Sequence, residues 1–181
     1  MSVIDLERTR NHIVKWLRDY AEKAGTKTWI VGLSGGIDSA LTALLCKRTN
    51  INTVCVAMPC YSSDFSLKRA LDFAGEFDLN IINVNLNTAY DEIVGQVHTY
   101  DFLKGGMNNP IATGGLRSCL RAPVLSFFAL ATKGLIVGLA IGVKIISSVI
   151  TRSLVMDVLI FAQSRTCSRV KCMSYLLIWP E

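Results

Sequence analysis

The chain has 181 residues, of which 51% are hydrophobic and 18% are charged, a composition typical of one globular domain with a sizeable core. The net charge of +5 comes without a stripe of Lys and Arg interleaved with aromatic residues, so no nucleic-acid partner is expected. The amino-terminal segment MSVIDLERTRNHIVKW lacks the apolar run of a secretory signal, so we expect a cytoplasmic protein whose six cysteines are reduced thiols.

Helices and strands alternate in the predictions for the first 138 residues. The predicted helices cover 3–23, 37–48, 64–77, 88–98 and 116–132, and the predicted strands cover 28–33, 53–58, 80–86 and 134–138. The Gly- and Asn-rich segment 101–115 is predicted to be a loop. Because strands that alternate with helices usually form a parallel sheet flanked by helices on both faces, the predicted fold class is α/β.

The segment SGGIDS begins at Ser34, directly between the first predicted strand and the helix that follows it. Gly35 and Gly36 allow a sharp turn whose amide groups, together with the helix N-terminus, form an anion-binding nest. Ser39 and Ser34 add hydroxyl donors, whereas Asp38 would repel phosphate unless a cation such as Mg²⁺ lay between them. The alternative is a glycine turn with a capping Ser or Asp. The GxxxxGK[ST] pattern of ordinary P-loops is not found in the chain.

The SGGIDS segment resembles the pyrophosphate loop of the N-type ATP pyrophosphatases. Two further segments are similar to ammonia-dependent NAD synthetases: VAMPCYSSDFSLKRALDFA (56–74) to their second strand and serine-rich turn, and GGLRSCLRAPVLSFFALATKGLIVG (114–138) to their GNxxARxR helix and next strand. The resemblance implies a Rossmann-like fold of the adenine nucleotide alpha hydrolase type. It also implies a homodimeric ligase of NAD biosynthesis that adenylates deamido-NAD with ATP and Mg²⁺, after which ammonia displaces AMP.

The resemblance also implies which residues bind the nucleotide. The predicted ATP-binding residues of the loop are Ser34, Gly35, Gly36, Ile37, Asp38 and Ser39. Asp38 is in addition the predicted Mg²⁺ ligand. Leu33 and Met58 lie at the strand ends where the family seats the nucleotide, and they either contact ATP or belong only to the core. Ser62 and Ser63 either touch ATP or cap the next helix. No residue is predicted to be a catalytic acid or base.

Cys119 and Arg121 are the predicted substrate-binding positions. When GGLRSCLR is matched to GNxxARxR, the Asn falls on Gly115, the first Arg on Cys119 and the last Arg on Arg121. The resemblance implies that the first of these positions contacts deamido-NAD, and a neutral thiol does not replace a bidentate guanidinium. Arg121 is then either a partial replacement or a solvated helix residue.

The resemblance ends near Gly138, so we expect an NAD synthetase-like domain at 1–138 without its carboxyl half and an aberrant tail at 139–181. In the family's TGNxSE turn, the Thr touches ATP and the Glu binds Mg²⁺. The matching positions in this sequence are occupied by Leu139 and Lys144. A frame displaced by one base, with codons chosen within the degeneracy of the code, converts LAIGVKII into TGNRSEDN. This suggests a frameshift near codon 138, and we expect the chain as it stands to be inactive.

Two other functions and a membrane location compete with this interpretation. The chain could be an N-type ATP pyrophosphatase of the GMP synthetase type, which would bind XMP, or a non-catalytic nucleotide-binding remnant. The segment 124–150 is apolar, but Lys133 and Lys144 interrupt it and neither lysine-free side reaches the length of a membrane span. No membrane segment is therefore expected.

Overall fold

Four parallel strands form the centre of the computed structural model, which describes residues 6–100 and 109–138. The strands are β1 (Thr28–Gly32), β2 (Asn52–Ala57), β3 (Asn80–Asn83) and β4 (Leu135–Val137). They pair side by side in the order β3-β2-β1-β4, and each neighbouring pair is parallel. The predicted α/β class with a parallel sheet is confirmed.

Six helices connect the strands or precede them in the described part of the chain. They are α1 (Leu6–Ala24), α2 (Ile37–Lys47), α3 (Asp64–Glu76), α4 (Asn87–Val97), α5 (Pro110–Cys119) and α6 (Arg121–Thr132). Among the described residues, none of these helices is both long and apolar enough to cross a membrane.

The side chains of the strands alternate between two hydrophobic cores, one on each face of the sheet. Trp29 and Val31 of β1 pack with side chains from α1, α2 and α3, whereas Ile30 packs with side chains from α4, α5 and α6. Trp29 is fully buried, and its indole Nε1 donates a hydrogen bond of 2.9 Å to Thr49 Oγ1. Helices therefore cover both faces, as predicted, because the strands are apolar on both sides.

Two predictions for the second half of the described chain are wrong. The loop predicted for 101–115 gives way to α5, which begins at Pro110 after the Asn109 side chain accepts the Ile111 amide at 2.9 Å. The single helix predicted for 116–132 is divided at Leu120. Pro123 explains the division, because it has no amide hydrogen and its ring clashes with the carbonyl four residues earlier in a continuous helix.

The remaining element predictions agree within a few residues, except that the strand predicted for 80–86 ends at Asn83. Beyond it, the Val84 amide still donates to Ala57 O and the Leu86 amide to Pro59 O, both at 2.8 Å. Residues 101–108 and the tail at 139–181, including its predicted frameshift, lie outside the described residues.

The strand order reverses direction at β1, since β2 and then β3 follow on one side whereas β4 lies on the other. In open α/β sheets such a reversal leaves a crevice at the carboxyl ends of the strands, where ligands bind. The loop from Leu33 to Gly36 connects β1 to α2 at this edge. The fold thus places the SGGIDS segment at the position where a ligand is expected.

Candidate functional site

The loop after β1 lies against the backbone of α3, and only glycine fits at position 35. Gly35 has a φ of +75°, a conformation that favours glycine. A Cβ atom built on Gly35 would lie 2.2 Å from the carbonyl oxygen of Ser66. Because that oxygen belongs to the helix backbone, it has little freedom to move away. This contact fixes the path of the loop.

Two serine hydroxyls hold the loop together from the inside. Ser39 Oγ donates to Gly36 O at 2.8 Å and accepts the Ser34 amide at 3.2 Å. The two hydroxyl oxygens of Ser34 and Ser39 lie 3.1 Å apart, and Ser34 Oγ accepts the Gly36 amide at 3.4 Å. The predicted phosphate donors Ser34 and Ser39 therefore lie together, at the start of α2.

The N-terminus of α2 offers backbone amides and one carboxylate. Gly36 is the N-cap residue, and no side chain caps the helix. Ile37 contributes only its backbone to the loop, because its side chain packs against the core on the α1–α3 face. The Asp38 carboxylate differs from its neighbours, because its Oδ1 atom is buried and has no hydrogen-bond partner among the described residues.

A divalent cation fits this orphaned carboxylate oxygen. A buried carboxylate oxygen without a partner is costly unless a cation or a donor meets it. No group of three or more His, Cys, Asp or Glu residues capable of holding a metal occurs in ranges 6–100 and 109–138. Asp38 would therefore hold the ion as a single protein carboxylate, which suits Mg²⁺ because Mg²⁺ takes most of its other ligands from water and substrate phosphates.

A cleft of about 310 Å³ opens beside this loop, between β1, β2, α3 and α6. Leu33 and Met58 both line it although they are only 3% and 7% exposed, so they belong to the core and to the wall of the cleft. Ser62 also lines the cleft. Ser63 is the N-cap residue of α3, but its side chain makes no capping hydrogen bond. Its hydroxyl lies 3.0 Å from the hydroxyl of Ser66, which is a cleft residue.

The structure separates the two predicted substrate-binding residues. Arg121 lines the cleft, where its Nε donates to Met58 O at 3.3 Å and its Nη1 donates to Arg117 O at 3.0 Å. Cys119 is exposed and does not line this cleft. Arg121 is thus held at the cleft by two backbone carbonyls and is not a freely solvated helix residue.

Arg117 is a residue that the sequence prediction missed. Its guanidinium lies over the rings of Tyr61 and Tyr90, at 5.6 and 5.3 Å from their centroids. Its Nε atom is buried and has no hydrogen-bond partner among the described residues. The available signal was the spacing of four between Arg117 and Arg121, which places both on one side of a helix turn.

The four described cysteines are free thiols, in agreement with the prediction. Cys46, Cys55 and Cys60 are buried, whereas Cys119 is exposed. Burial raises the pKa of Cys55 to about 11, and burial also raises the pKa values of Cys46 and Cys60. These three thiols are therefore packing residues that stay protonated near neutral pH.

Comparison with known proteins identifies the family of this chain. The NAD synthase family model matches residues 9–146. The NH3-dependent NAD+ synthetase of Alkaliphilus oremlandii is 30% identical over 139 residues, which are 74% of this chain and 55% of the relative. That of Methanosarcina mazei is 55% identical over 42 residues, which are 23% of this chain and 16% of the relative. The chain spans about half the length of the first of these.

Solved structures of similar shape share the fold. An NMN synthetase from Francisella tularensis has a TM-score of 0.67 at 20% identity, covering 74% of this chain and 54% of that one. An NH3-dependent NAD synthetase from Campylobacter jejuni has a TM-score of 0.66 at 21% identity, covering 77% and 58%. The family model covers well over half of the present sequence, including the loop after β1, α5 and α6. The chain therefore belongs to the NAD synthase family.

Proposed function

We propose that the described residues form the ATP-binding side of an ammonia-dependent NAD synthetase. A carboxylate oxygen of deamido-NAD attacks the α-phosphorus of ATP, and pyrophosphate leaves. The nitrogen of ammonia then attacks the activated acyl carbon, and AMP leaves as the amide of NAD forms. Family membership and the names of the curated relatives support this reaction class.

The observation that carries the proposal is the buried, unpartnered Oδ1 atom of Asp38 beside the uncapped N-terminus of α2. The amides at Gly35 and Gly36, with the hydroxyls of Ser34 and Ser39, would bind the ATP phosphates. Gly36 and Ser39 would exchange their hydrogen bonds within the loop for bonds to phosphate oxygens. Asp38 would hold Mg²⁺, which when bound neutralises charge on the departing pyrophosphate. Ile37 takes part through its backbone amide.

The cleft walls would bind the remaining parts of the two substrates. Leu33 and Met58 offer an apolar wall next to the loop, suited to the nucleoside of ATP. Arg121 brings a positive charge to the same cleft, and we propose that it faces an anionic group of deamido-NAD. Cys119 occupies the position that the motif match gives to the substrate arginine, but its exposed thiol offers no comparable charge.

Magnesium-dependent ATP binding tests this assignment directly. By titration calorimetry, ATP should bind at least tenfold more tightly with Mg²⁺ than with EDTA, and Asp38→Asn should abolish that difference. Asp72→Asn, which changes an exposed carboxylate on α3, is the matched control and should leave both affinities unchanged. If neither the chain nor its frame-restored version shows magnesium-dependent ATP binding, the proposed function is wrong.

We further propose that 1–138 is the synthetase-like domain of a cytoplasmic, homodimeric enzyme and that 139–181 is read out of frame. The nucleotide sequence around codon 138 tests the frame, because a single-base change should restore the family's TGNxSE turn. NAD formation from deamido-NAD, ATP and ammonia should be measurable in the frame-restored version and not in the chain as it stands. Robust turnover by the 181-residue chain would contradict this view of the tail.

The two competing functions give different outcomes in the same assays. Binding of XMP in place of deamido-NAD would favour a GMP synthetase type, an interpretation that membership of the NAD synthase family disfavours. Retained ATP binding without AMP formation, even in the frame-restored version, would favour a non-catalytic nucleotide-binding remnant.

A further inference from the structure

Arg117 lies at the carboxyl edge of the sheet, next to the cleft but outside its described lining. Tyr61 immediately precedes Ser62, a cleft residue, and Arg121 donates to the main-chain oxygen of Arg117 at 3.0 Å. Tyr90 is in the first turns of α4 and is 7% exposed. Three segments that are far apart in the sequence thus bring a guanidinium and two phenol rings together beside the cleft.

The charge of Arg117 has no anionic partner in the described part of the chain. The three ion pairs found there involve other residues, and the Nε atom of Arg117 is buried without a hydrogen-bond partner. The Asp91 carboxylate accepts the Tyr61 hydroxyl with both of its oxygens at 2.6 Å. Its charge is therefore held at the hydroxyl end of the Tyr61 ring, whereas Arg117 lies over the ring face.

An arginine in this setting is well suited to bind an anion. The two rings hold the guanidinium plane in place, so little side-chain freedom is lost when a ligand binds. The guanidinium carries a fork of donors that matches the geometry of a carboxylate or a phosphate, and its buried Nε atom is still without a partner. Tyr61 is 51% exposed, which leaves part of its ring open for a planar ligand group.

We propose that Arg117, together with Tyr61, forms an anion-binding subsite for the second substrate, and that it supplies the positive charge missing at position 119. This inference rests on the proposed function, since it assumes that deamido-NAD enters the cleft beside ATP. The ligand group is either the carboxylate on the pyridine ring of deamido-NAD or one of its phosphates, which are joined to the rings through ribose. Arg117 is a binding residue here, and Cys119 is not required.

Affinities of the complete 181-residue chain for separate nucleotides test the subsite. Arg117→Met should weaken deamido-NAD binding at least tenfold in calorimetry while ATP binding with Mg²⁺ stays within twofold. Arg69→Met is the matched control, because the Arg69 guanidinium also lies over a ring, that of Phe65 at 4.7 Å, but outside the cleft lining. It should leave both affinities within twofold. If Arg117→Met fails to fold, Arg117→Gln provides the same comparison.

The product NAD, which lacks the carboxylate, shows which anion is bound. Weaker binding of deamido-NAD alone assigns Arg117 to the carboxylate, and weaker binding of both dinucleotides assigns it to phosphate; both results support the subsite. The proposal is overturned if Arg117→Met binds deamido-NAD as the parent does, or if the parent binds ATP but not deamido-NAD. Absence of magnesium-dependent ATP binding in both the parent chain and its frame-restored version would instead refute the proposed function itself; if only the frame-restored version binds ATP, the same comparison is made in that version.

Discussion

The loop between β1 and α2 and the junction between α5 and α6 face the same cleft, but they depend on different parts of the chain. The proposed phosphate contacts of the loop come mainly from its backbone, because Gly35 has a positive φ and no side chain caps the amides of α2. The junction works through side chains, since the guanidiniums of Arg117 and Arg121 are its only described positive charges. Backbone contacts can be predicted from a short sequence pattern. Side-chain contacts depend instead on the direction in which each side chain points in the folded protein.

This difference predicts that the two regions tolerate substitution unequally. The side chain of Cys119 is exposed on α5, so a different side chain at this position leaves the helix itself undisturbed. A side chain at Gly35 would displace the loop from α3 and remove several donors at once. The following predictions challenge or refine the contrast between these two regions.

Gly35→Ala should have the largest effect, because the new Cβ would meet the Ser66 carbonyl at 2.2 Å in a backbone conformation unfavourable for alanine. We expect the free energy of unfolding, measured by urea denaturation, to fall by at least ~3 kcal/mol. Gly36→Ala is the control, since its φ is −93° and the nearest atom, Ser34 Oγ, lies 3.4 Å away. Equal losses in the two variants would show that the contact with α3 does not define the loop.

Thiol alkylation should distinguish the outer face of the junction from the core. Near neutral pH, iodoacetamide should modify exposed Cys119 at least ~100-fold faster than Cys46 or Cys55, because burial raises the pKa of both and excludes the reagent. Peptide mass spectrometry gives the rates, and the unfolded chain in urea serves as the control. Slow modification of Cys119 would mean that its face of α5 is covered.

Ser39→Ala should have an intermediate effect, because its hydroxyl donates to Gly36 O and accepts the Ser34 amide. We expect a loss of about 1 kcal/mol in the free energy of unfolding, together with weaker ATP binding. Ser118→Ala, at an exposed position on α5, should change the free energy of unfolding by less than about 0.5 kcal/mol. If both serines behave alike, the hydroxyl network does not organise the loop.

The smallest expected effect is a change in the pKa of the Tyr61 hydroxyl when Asp91 is replaced. Its hydrogen bond to Asp91 raises the pKa of Tyr61, so the corresponding stabilisation is present below the unfolded pKa of about 10 and disappears as the pH rises through the folded pKa. In ultraviolet difference titrations, Asp91→Asn should lower this pKa, and Tyr61→Phe should remove the step. An unchanged pKa in Asp91→Asn would contradict the described hydrogen bond.

Local patterns in the sequence predicted most of the elements and the loop of the site. Strands such as β1 are apolar on both faces, and the glycine pair with two serines marks a strand-to-helix turn. Pro123 was a sequence signal for the division between α5 and α6. The apolar periodicity on either side of Pro123 nevertheless led to the prediction of a single helix. These features are local because they depend on neighbouring residues and on the repeat of each element.

The sequence by itself determined the α/β class and the position of the glycine loop, with its unusual Asp38, between the first strand and the next helix. Only the tertiary structure decided that Asp38 Oδ1 is buried without a partner, that Gly35 faces the Ser66 carbonyl and that Arg117 lies over Tyr61 and Tyr90. Each of these facts joins segments from different helices or loops. These contacts arise when helices pack on a common sheet. The sequence pattern of one segment does not show which residues of another segment will lie against it.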